Sequence, residues 1–510
     1  MPTWLGEVIS GRRPTSGLPP HLRIQYFLQG KMVYSINMEK SGCNDRCTEP
    51  ESQVPSPIDI LGLETPTSVN EAKLLRRIDY RVLPMLGVVY FVTFLDRVNI
   101  SNALTMGLPE ELGLSGDQPN IALTIFFIPY MLFEIPSNLC MKRFSPHLWL
   151  SLCTVSFGIV MLGQGFVHNF GGLLATRFFL GMAEAGIFPG SFYLISFWYR
   201  RDESLKRFTA FWSSILLAGS FGGLLATAIS NMDGICGLRS WRWLFILEGI
   251  LTIVVGIVAF FALTDFPREA KWLSPDERAW VIARTQNDES CSVPISLNDI
   301  VTFFRDIKVY VAAVVYFAMV IPVYSFSYFA PTIIQQTLDY SILQTQLHTV
   351  PPFAAAFGLC IVTAYWSDRT QIRLPYVLAG EAILLVGLAL VLNFHGKSNF
   401  SIQYAGICLI AMGSFAASIC IVCWVLMNLR GHLQRSLGSG WIIGFGNAGG
   451  IAATFAFIKT DAPKYVKGYW TLISMSIVCI VGSVIYAVLV HRERKAARAK
   501  VDRSRMELSL

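Results

Sequence analysis

Twelve separate runs of about twenty apolar residues, each long enough to cross a bilayer as a helix, constrain this chain more than any other feature. They lie near 82–104, 119–140, 147–167, 171–192, 209–230 and 243–264, then near 309–330, 346–366, 375–394, 402–425, 437–458 and 469–490. Of the 510 residues 53% are hydrophobic and only 15% charged. An ordinary soluble protein has about a quarter of its residues charged, so that class is excluded. Disorder is excluded as well, because a disordered chain lacks apolar mass. The first six runs cover 82–264 and the second six 309–490, nearly equal lengths around a charged connector. The expected fold class is an all-α membrane protein with 12 transmembrane helices in two six-helix pseudo-repeat bundles, a common transporter plan.

This pattern divides the chain into five parts. Residues 1–80 are Pro/Ser-rich without sustained apolar periodicity and are expected to form a disordered cytoplasmic tail. Within it Met38 opens MEKSGCNDRCTEPES, a polar acidic stretch like a transporter leader, so translation is expected to begin there. Residues 81–264 form the first bundle, 265–308 a cytoplasmic loop, 309–490 the second bundle and 491–510 a basic tail. The loop holds REAKWLSPDERAWVIARTQNDES, expected to form a short amphipathic helix on the membrane surface.

Lys and Arg orient the chain. With both termini in the cytoplasm the inner loops hold sixteen of them and the outer loops six: Arg239, Arg242, Lys397, Lys459, Lys464 and Lys467. The net charge of +7 is therefore orientation information. Nucleic-acid binding needs a clustered basic face, and these residues are spread over loops. The tail HRERKAARAK reads as an anchor against anionic headgroups of the lipid bilayer.

The 11 cysteines do not form a disulfide framework, since most sit in or beside apolar runs where a small polarizable side chain packs. Cys420 and Cys423 make a CxxC within a membrane run, and core packing is the expected reading. No HxxH, GxSxG or P-loop is present, so an enzyme is not expected. GFGNAGG at 444–450 matches GxGxxG literally but lies in an apolar run with no preceding strand. Small residues there, and in AGSFGG at 218–223, let membrane helices approach closely. Asn447 is the one polar group in its run and faces either the cavity or a neighbouring helix.

Few ionisable residues fall inside the runs, and each is a functional candidate because a charge in hydrocarbon is costly. The first run carries Asp96 and Arg97, the second Tyr130 and Glu134, the fourth Arg177 and Glu184, the sixth Glu248 and the ninth Glu381. At a rise of about 1.5 Å per residue, Asp96 lies about 12 Å from the outer end of its run and Arg177 about 9 Å from its own. Glu184 follows Arg177 by seven residues, two turns deeper on the same face. Two guanidiniums can grip a carboxylate with their planar forks, and two carboxyls in apolar surroundings can carry protons. The competing reading is an internal salt bridge that only locks helices. Glu134, Glu248 and Glu381 lie nearer to ends or connectors, where the structural reading is preferred.

These residues carry a resemblance. LLRRIDYRVLPML with FLDRVNISNA, then EIPSN, RFFLGMAEAGIFPG, WRWLFILEG at 241–249 and FPREAKWLSPDER are the marks in the first half. FAPTII, SDR at 367–369, GHLQRSLGSG, GFGNAGG and DAPKY are those in the second. Over about 73–490 the chain resembles the major facilitator superfamily, in particular the anion:cation symporter family and its fungal allantoate-permease-like branch. The resemblance implies the major facilitator fold and proton-coupled import of a small organic anion by alternating access, with protons as the coupling ion and no cofactor. In relatives that move sugar acids, the matching positions place proton coupling on Asp96 and Glu184. They place anion binding on Arg97, Arg177 and the second-run tyrosine, Tyr130, and Asn447 is added here as a candidate.

Two departures bear on the substrate and the gate. The loop after the eighth run keeps the superfamily's gating residues as Asp368, Arg369 and Arg373, able to pair across helix ends. The loop after the second run, PSNLCMKRFSP, lacks the acid. The seventh run lacks the arginine of vesicular glutamate carriers and offers Tyr324, Ser325, Ser327 and Tyr328, which disfavours a dicarboxylate. The expected function is a plasma-membrane, monomeric proton symporter of a monocarboxylate such as nicotinate, pantothenate or allantoate. The alternatives are an exporter of a drug or secondary metabolite and a non-transporting nutrient receptor on the same fold.

Overall fold

A capped turn and one buried stripe start the first helix ahead of its apolar run. Asn70 Oδ1 accepts the Lys73 N–H at 3.1 Å, and Leu74, Ile78 and Val82 are buried at four-residue spacing while Arg76, Arg77, Tyr80 and Arg81 face outward. Helix α1 (Glu71–Thr105) therefore begins inside the stretch assigned to the tail, because an amphipathic turn escapes a mean-hydropathy reading. The computed structural model describes residues 70–286, 303–338, 341–394, 399–429, 431–462 and 464–509. The tail reading of residues 1–69, with the start at Met38, lies outside them.

Eleven further long helices follow. They are α2 (Gln118–Arg143), α3 (Pro146–Gln164), α4 (Phe170–Glu184 continued by Ile187–Trp198), α5 (Arg201–Trp212 continued by Ser214–Ser230) and α6 (Ser240–Ala262) in the first half. The second half has α7 (Ile307–Leu338), α8 (Ile342–Thr370), α9 (Leu374–Asn393), α10 (Phe400–Asn428), α11 (Gly431–Thr454) and α12 (Val466–Ser509). All except α11 are long and apolar enough to cross a membrane, by length and composition among the described residues. Helix α11 completes the count, packed between α2 and α7. Helix α12 runs on through the basic tail, whose Ala, Arg, Lys and Glu are strong helix formers.

The interruption of α4 has a local cause. Pro189 has no N–H for the carbonyl four residues back, Ala185, and its ring crowds that carbonyl. The helix breaks at Ala185–Gly186, directly after Glu184.

Across the halves, α2 packs on α11, α5 on α8 and α1 on α7. Exchanging the halves helix for helix (α2 with α8, α11 with α5) turns the α2–α11 contact into α8–α5, the symmetry expected of two related six-helix bundles. At the end of the molecule away from the connector (the far end), polar bonds join the halves. Asn120 donates to the carbonyls of Thr454 at 2.6 Å and Phe457 at 3.1 Å, and Gln346 donates to Thr105 Oγ1 at 2.9 Å. The GFGNAGG stretch is helical and serves contact: a Cβ on Gly446 would strike the Tyr316 ring, and one on Gly449 would lie 2.7 Å from the Phe317 carbonyl oxygen. This is helix packing by small residues rather than a phosphate loop.

At the connector end, a helix at Pro275–Gln286 docks on the first half. Arg77 reaches Glu277 at 2.5 Å, and Arg284 pairs with Glu203 and with Glu71 at 3.0 Å. Trp272 stacks on Trp198 and lies under the guanidiniums of Arg77 and Arg81, each 5.2 Å from its ring centre. The amphipathic face expected in this stretch is thus turned onto helix ends of the protein.

Candidate functional site

Successive residues on a helix point about 100° apart, so Asp96 and Arg97, adjacent on α1, face different partners. Arg97 points to the seam between the halves. Its guanidinium is clasped by the Glu184 carboxylate at the break of α4, through Nε to Oε2 at 3.1 Å and Nη2 to Oε1. Its Nη1 donates to Tyr324 Oη of α7 at 2.7 Å, and that hydroxyl donates to Asn447 Oδ1 of α11 at 3.3 Å. The rings of Tyr130 and Phe126 from α2 each lie 5.2 Å from the guanidinium carbon, close enough for cation–π attraction. Arg97 is 2% exposed and Glu184 1%. A buried charge at that depth needs a paired counter-charge, and the bidentate carboxylate supplies it.

Asp96 points away from the seam, into the first half. Its Oδ2 accepts the Thr252 hydroxyl of α6 at 2.7 Å, and the Glu248 carboxyl, one turn earlier on the same face of α6, lies within hydrogen-bonding reach. Arg177 of α4 faces this group electrostatically and bonds the Arg97 carbonyl oxygen through Nη1 at 3.4 Å. Its Nε and Nη2 have no partner among the described residues. Arg177 also lies 5.9 Å from the Phe245 ring centre. The four ionisable residues of α1 and α4 therefore do not form one mixed cluster. Arg97 takes Glu184, while Asp96 and Arg177 occupy a second group with Glu248.

Tyr130 and Asn447 join the Arg97 group, Asn447 through Tyr324. Asn447 thus bonds its neighbouring helix α7 and, through Tyr324, is linked to Arg97. The gating residues divide. Asp368 and Arg373 pair at 2.5 Å across the α8–α9 turn, and Arg373 also donates to Ser367 Oγ at 2.6 Å. Arg369 is exposed and turns toward Tyr365 Oη, 3.5 Å away, outside that pair.

Two features escaped the sequence. The sequence shows Tyr324 in place of an arginine but carries no sign of its bond to Arg97. Glu248 was placed near a helix end because the apolar run starts at 243; α6 starts at Ser240, which puts Glu248 about 12 Å along the helix. Its signal was Thr252, four residues on, a second polar residue on the same face of an apolar run. Glu134 of α2 is also buried, 1% exposed, and its Oε2 would lie 3.7 Å from a Cβ on Gly444 of α11. Glu381 of α9 is satisfied within the second half, accepting the Ser476 hydroxyl at 2.5 Å.

Comparison with known proteins places this architecture. The Major Facilitator Superfamily model matches residues 86–454. An uncharacterized transporter of Schizosaccharomyces pombe is 33% identical over 90% of this chain and 91% of its own length. The major facilitator-type transporter hxnP of Emericella nidulans is 32% identical over 83% of this chain and 87% of its own length. The high-affinity nicotinic acid transporter of Saccharomyces cerevisiae is 29% identical over 87% and 82%. A crystal structure of a bacterial homolog to the human lysosomal transporter Spinster, inward-facing and occupied, shares the fold at a TM-score of 0.59 with 14% identity. That likeness covers 81% of this chain and 96% of the other. A family match over most of the chain, relatives above 30% identity across nearly its whole length and a shared helical architecture lead to one assignment: the chain belongs to the Major Facilitator Superfamily.

Proposed function

We propose that this multi-pass membrane protein is a proton-coupled symporter of a small organic monocarboxylate, in the anion:cation symporter branch of its superfamily. The observation that carries the reading is the Arg97–Glu184 pair at the seam. Protonation of Glu184 removes the charge that holds the guanidinium, and a substrate carboxylate takes its place on the same fork. The unpartnered Nε and Nη2 of Arg177 offer a second grip for the anion, and Tyr130 supplies an aromatic wall beside Arg97. Tyr324 and Asn447 bring the second half to the bound anion, so that binding and release are tied to how the halves meet. Asp96 is the second proton-carrying residue of this reading.

Both termini lie in the cytoplasm, the connector end faces the cytoplasm and the far-end seam of Asn120 and Gln346 is the outer gate. Asp368, Arg369 and Arg373 belong to the inner one. The protein acts as a monomer in the plasma membrane, with no cofactor beyond the coupling proton. Nicotinate heads the candidate substrates because a relative spanning most of the chain is named for nicotinic acid; pantothenate and allantoate follow.

Uptake of radiolabelled nicotinate, pantothenate and allantoate, with and without a protonophore, tests this reading. Protonophore-sensitive accumulation of one of them is expected, and none of the three accumulating would overturn the substrate class. Glu184→Gln is expected to keep counterflow and lose proton-driven accumulation. Unchanged accumulation removes Glu184 from coupling, and an Arg177→Lys variant with normal affinity removes Arg177 from binding.

A further inference from the structure

Glu248 is a buried carboxyl outside the seam site. It is 0% exposed, as is Asp96, and the two carboxyls face each other between α6 and α1. Asp96 Oδ2 is occupied by the Thr252 hydroxyl, but Asp96 Oδ1 and both Glu248 oxygens meet no N–H or O–H donor among the described residues. Two carboxylates in contact, away from water, cannot both remain ionised. Helix α7, packed on α1, presents Tyr328 to Arg177. Helix α1 presents Asp96, with Arg97 turned away to Glu184, and α4 presents Arg177. Helices α3, α5 and α6 itself present no further ionisable group to Glu248 among the described residues. Arg177, 1% exposed and with two nitrogens that lack a partner among the described residues, is the cation that faces Asp96.

We propose that Asp96 and Glu248 hold a single proton between them, forming a proton site that Arg177 balances. The proton sits on Glu248 and is donated to Asp96 Oδ1, while Thr252 donates to Asp96 Oδ2. One hydrogen bond thereby satisfies the orphaned Asp96 oxygen and one Glu248 oxygen together. The charge also closes: Arg177 is +1, Asp96 is −1 and Glu248 is neutral. This deepens the symport reading and rests on it for its consequence in transport. When a substrate carboxylate engages Arg177, the guanidinium no longer neutralises Asp96, and the pair takes a second proton from water. Anion binding then draws in a proton through Arg177, a route separate from Glu184.

The primary test needs no substrate. The protonated carboxyl of the purified full-length protein is read at neutral pH from its infrared C=O band in wild type, Asp96→Asn, Glu248→Gln and the double variant. A shared proton predicts that each single variant loses one protonated carboxyl, the carboxyl left behind ionising beside Arg177, and that the double variant loses the same one and no more. A protonated carboxyl retained in Asp96→Asn, or no loss in Glu248→Gln, overturns the proposal. Infrared difference spectra add a readout that a merely structural role would not move. Thr252→Val removes only the hydroxyl donated to Asp96, and in a shared pair it is expected to shift the carboxyl band that Glu248→Asp also shifts. A Glu248 band indifferent to Thr252→Val overturns sharing, and this comparison decides the matter if Glu248→Gln does not fold. With nicotinate as probe, nicotinate-evoked proton uptake tests the transport consequence. Its absence beside an intact shared proton strikes the symport reading and leaves the dyad standing.

Discussion

The two halves share an architecture and differ in what they bury. Asp96, Arg97, Glu134, Arg177, Glu184 and Glu248 of the first half are all 2% exposed or less. The second half, among its described residues, sets Glu381 at that depth within its helices and satisfies it internally through Ser476. To the seam it contributes neutral groups, the Tyr324 hydroxyl and the Asn447 amide. The ion pair at the centre, Arg97–Glu184, lies within one half, and among the described residues the polar contacts that cross between halves are hydrogen bonds. Breaking a buried ion pair costs about 3–5 kcal/mol, whereas a typical hydrogen bond contributes about 1 kcal/mol net. Halves joined by the second kind can separate repeatedly; halves joined by the first would lock.

The largest test of this asymmetry compares one buried group from each half. Arg97→Gln leaves Glu184 without its counter-charge and is expected to cost about 3 kcal/mol or more, with loss of uptake. Glu381→Gln keeps an acceptor for Ser476 and is expected to cost under about 1 kcal/mol. Thermal unfolding in detergent measures both, and equal losses would erase the contrast between the halves. Next is Tyr324→Phe, which removes the Arg97 bond across the seam while keeping the ring. A hydrogen bond to a charged group is worth about 1.5–3 kcal/mol, so a drop in uptake of at least about tenfold is expected, with the Arg97–Glu184 pair intact.

Asn120→Ala should be smaller, since it removes neutral bonds to two carbonyls at the far end. About 1 kcal/mol corresponds to a roughly fivefold shift toward molecules open at that end, read by cysteine accessibility there. Glu277→Gln at the connector is expected to be smallest, below about 1 kcal/mol, as for most partly exposed pairs. Its pH behaviour has a definite sign. Burial pushes the Glu277 carboxyl up, but the Ser274 N–H and the Arg77 guanidinium outweigh it and hold the carboxyl below its ordinary value. The contribution is therefore complete at neutral pH and lost as pH falls through the lowered folded value. A docking contact that strengthened on acidification would reverse this assignment.

Several of these contrasts were legible in the sequence. Apolar runs of bilayer length located the twelve helices, and the scarcity of charge inside them singled out Asp96, Arg97, Arg177 and Glu184. The partners were not legible. Depth along a helix follows from counting residues, but direction around it depends on which neighbour it packs against. Asp96 and Arg97 lie at nearly the same depth as Arg177 but point about 100° apart around α1, so depth alone does not say which of them meets Glu184. Glu248 reads from the sequence as near a helix end because partly polar turns such as Ser240–Arg242 extend a helix beyond its apolar run.

The sequence by itself determined that this is a polytopic helical membrane protein in two related halves, because bilayer thickness sets helix length and hydrocarbon penalises charge. It also nominated the residues that any function must explain. Only the tertiary structure decided that Arg97 closes on Glu184 and reaches Tyr324 and Asn447 in the other half, and that Asp96 turns instead to Thr252 and Glu248. Those pairings join residues separated by 87, 227 and 156 positions, respectively for Arg97–Glu184, Arg97–Tyr324 and Asp96–Thr252. The packing of helices selects them from many pairings that depth alone would allow.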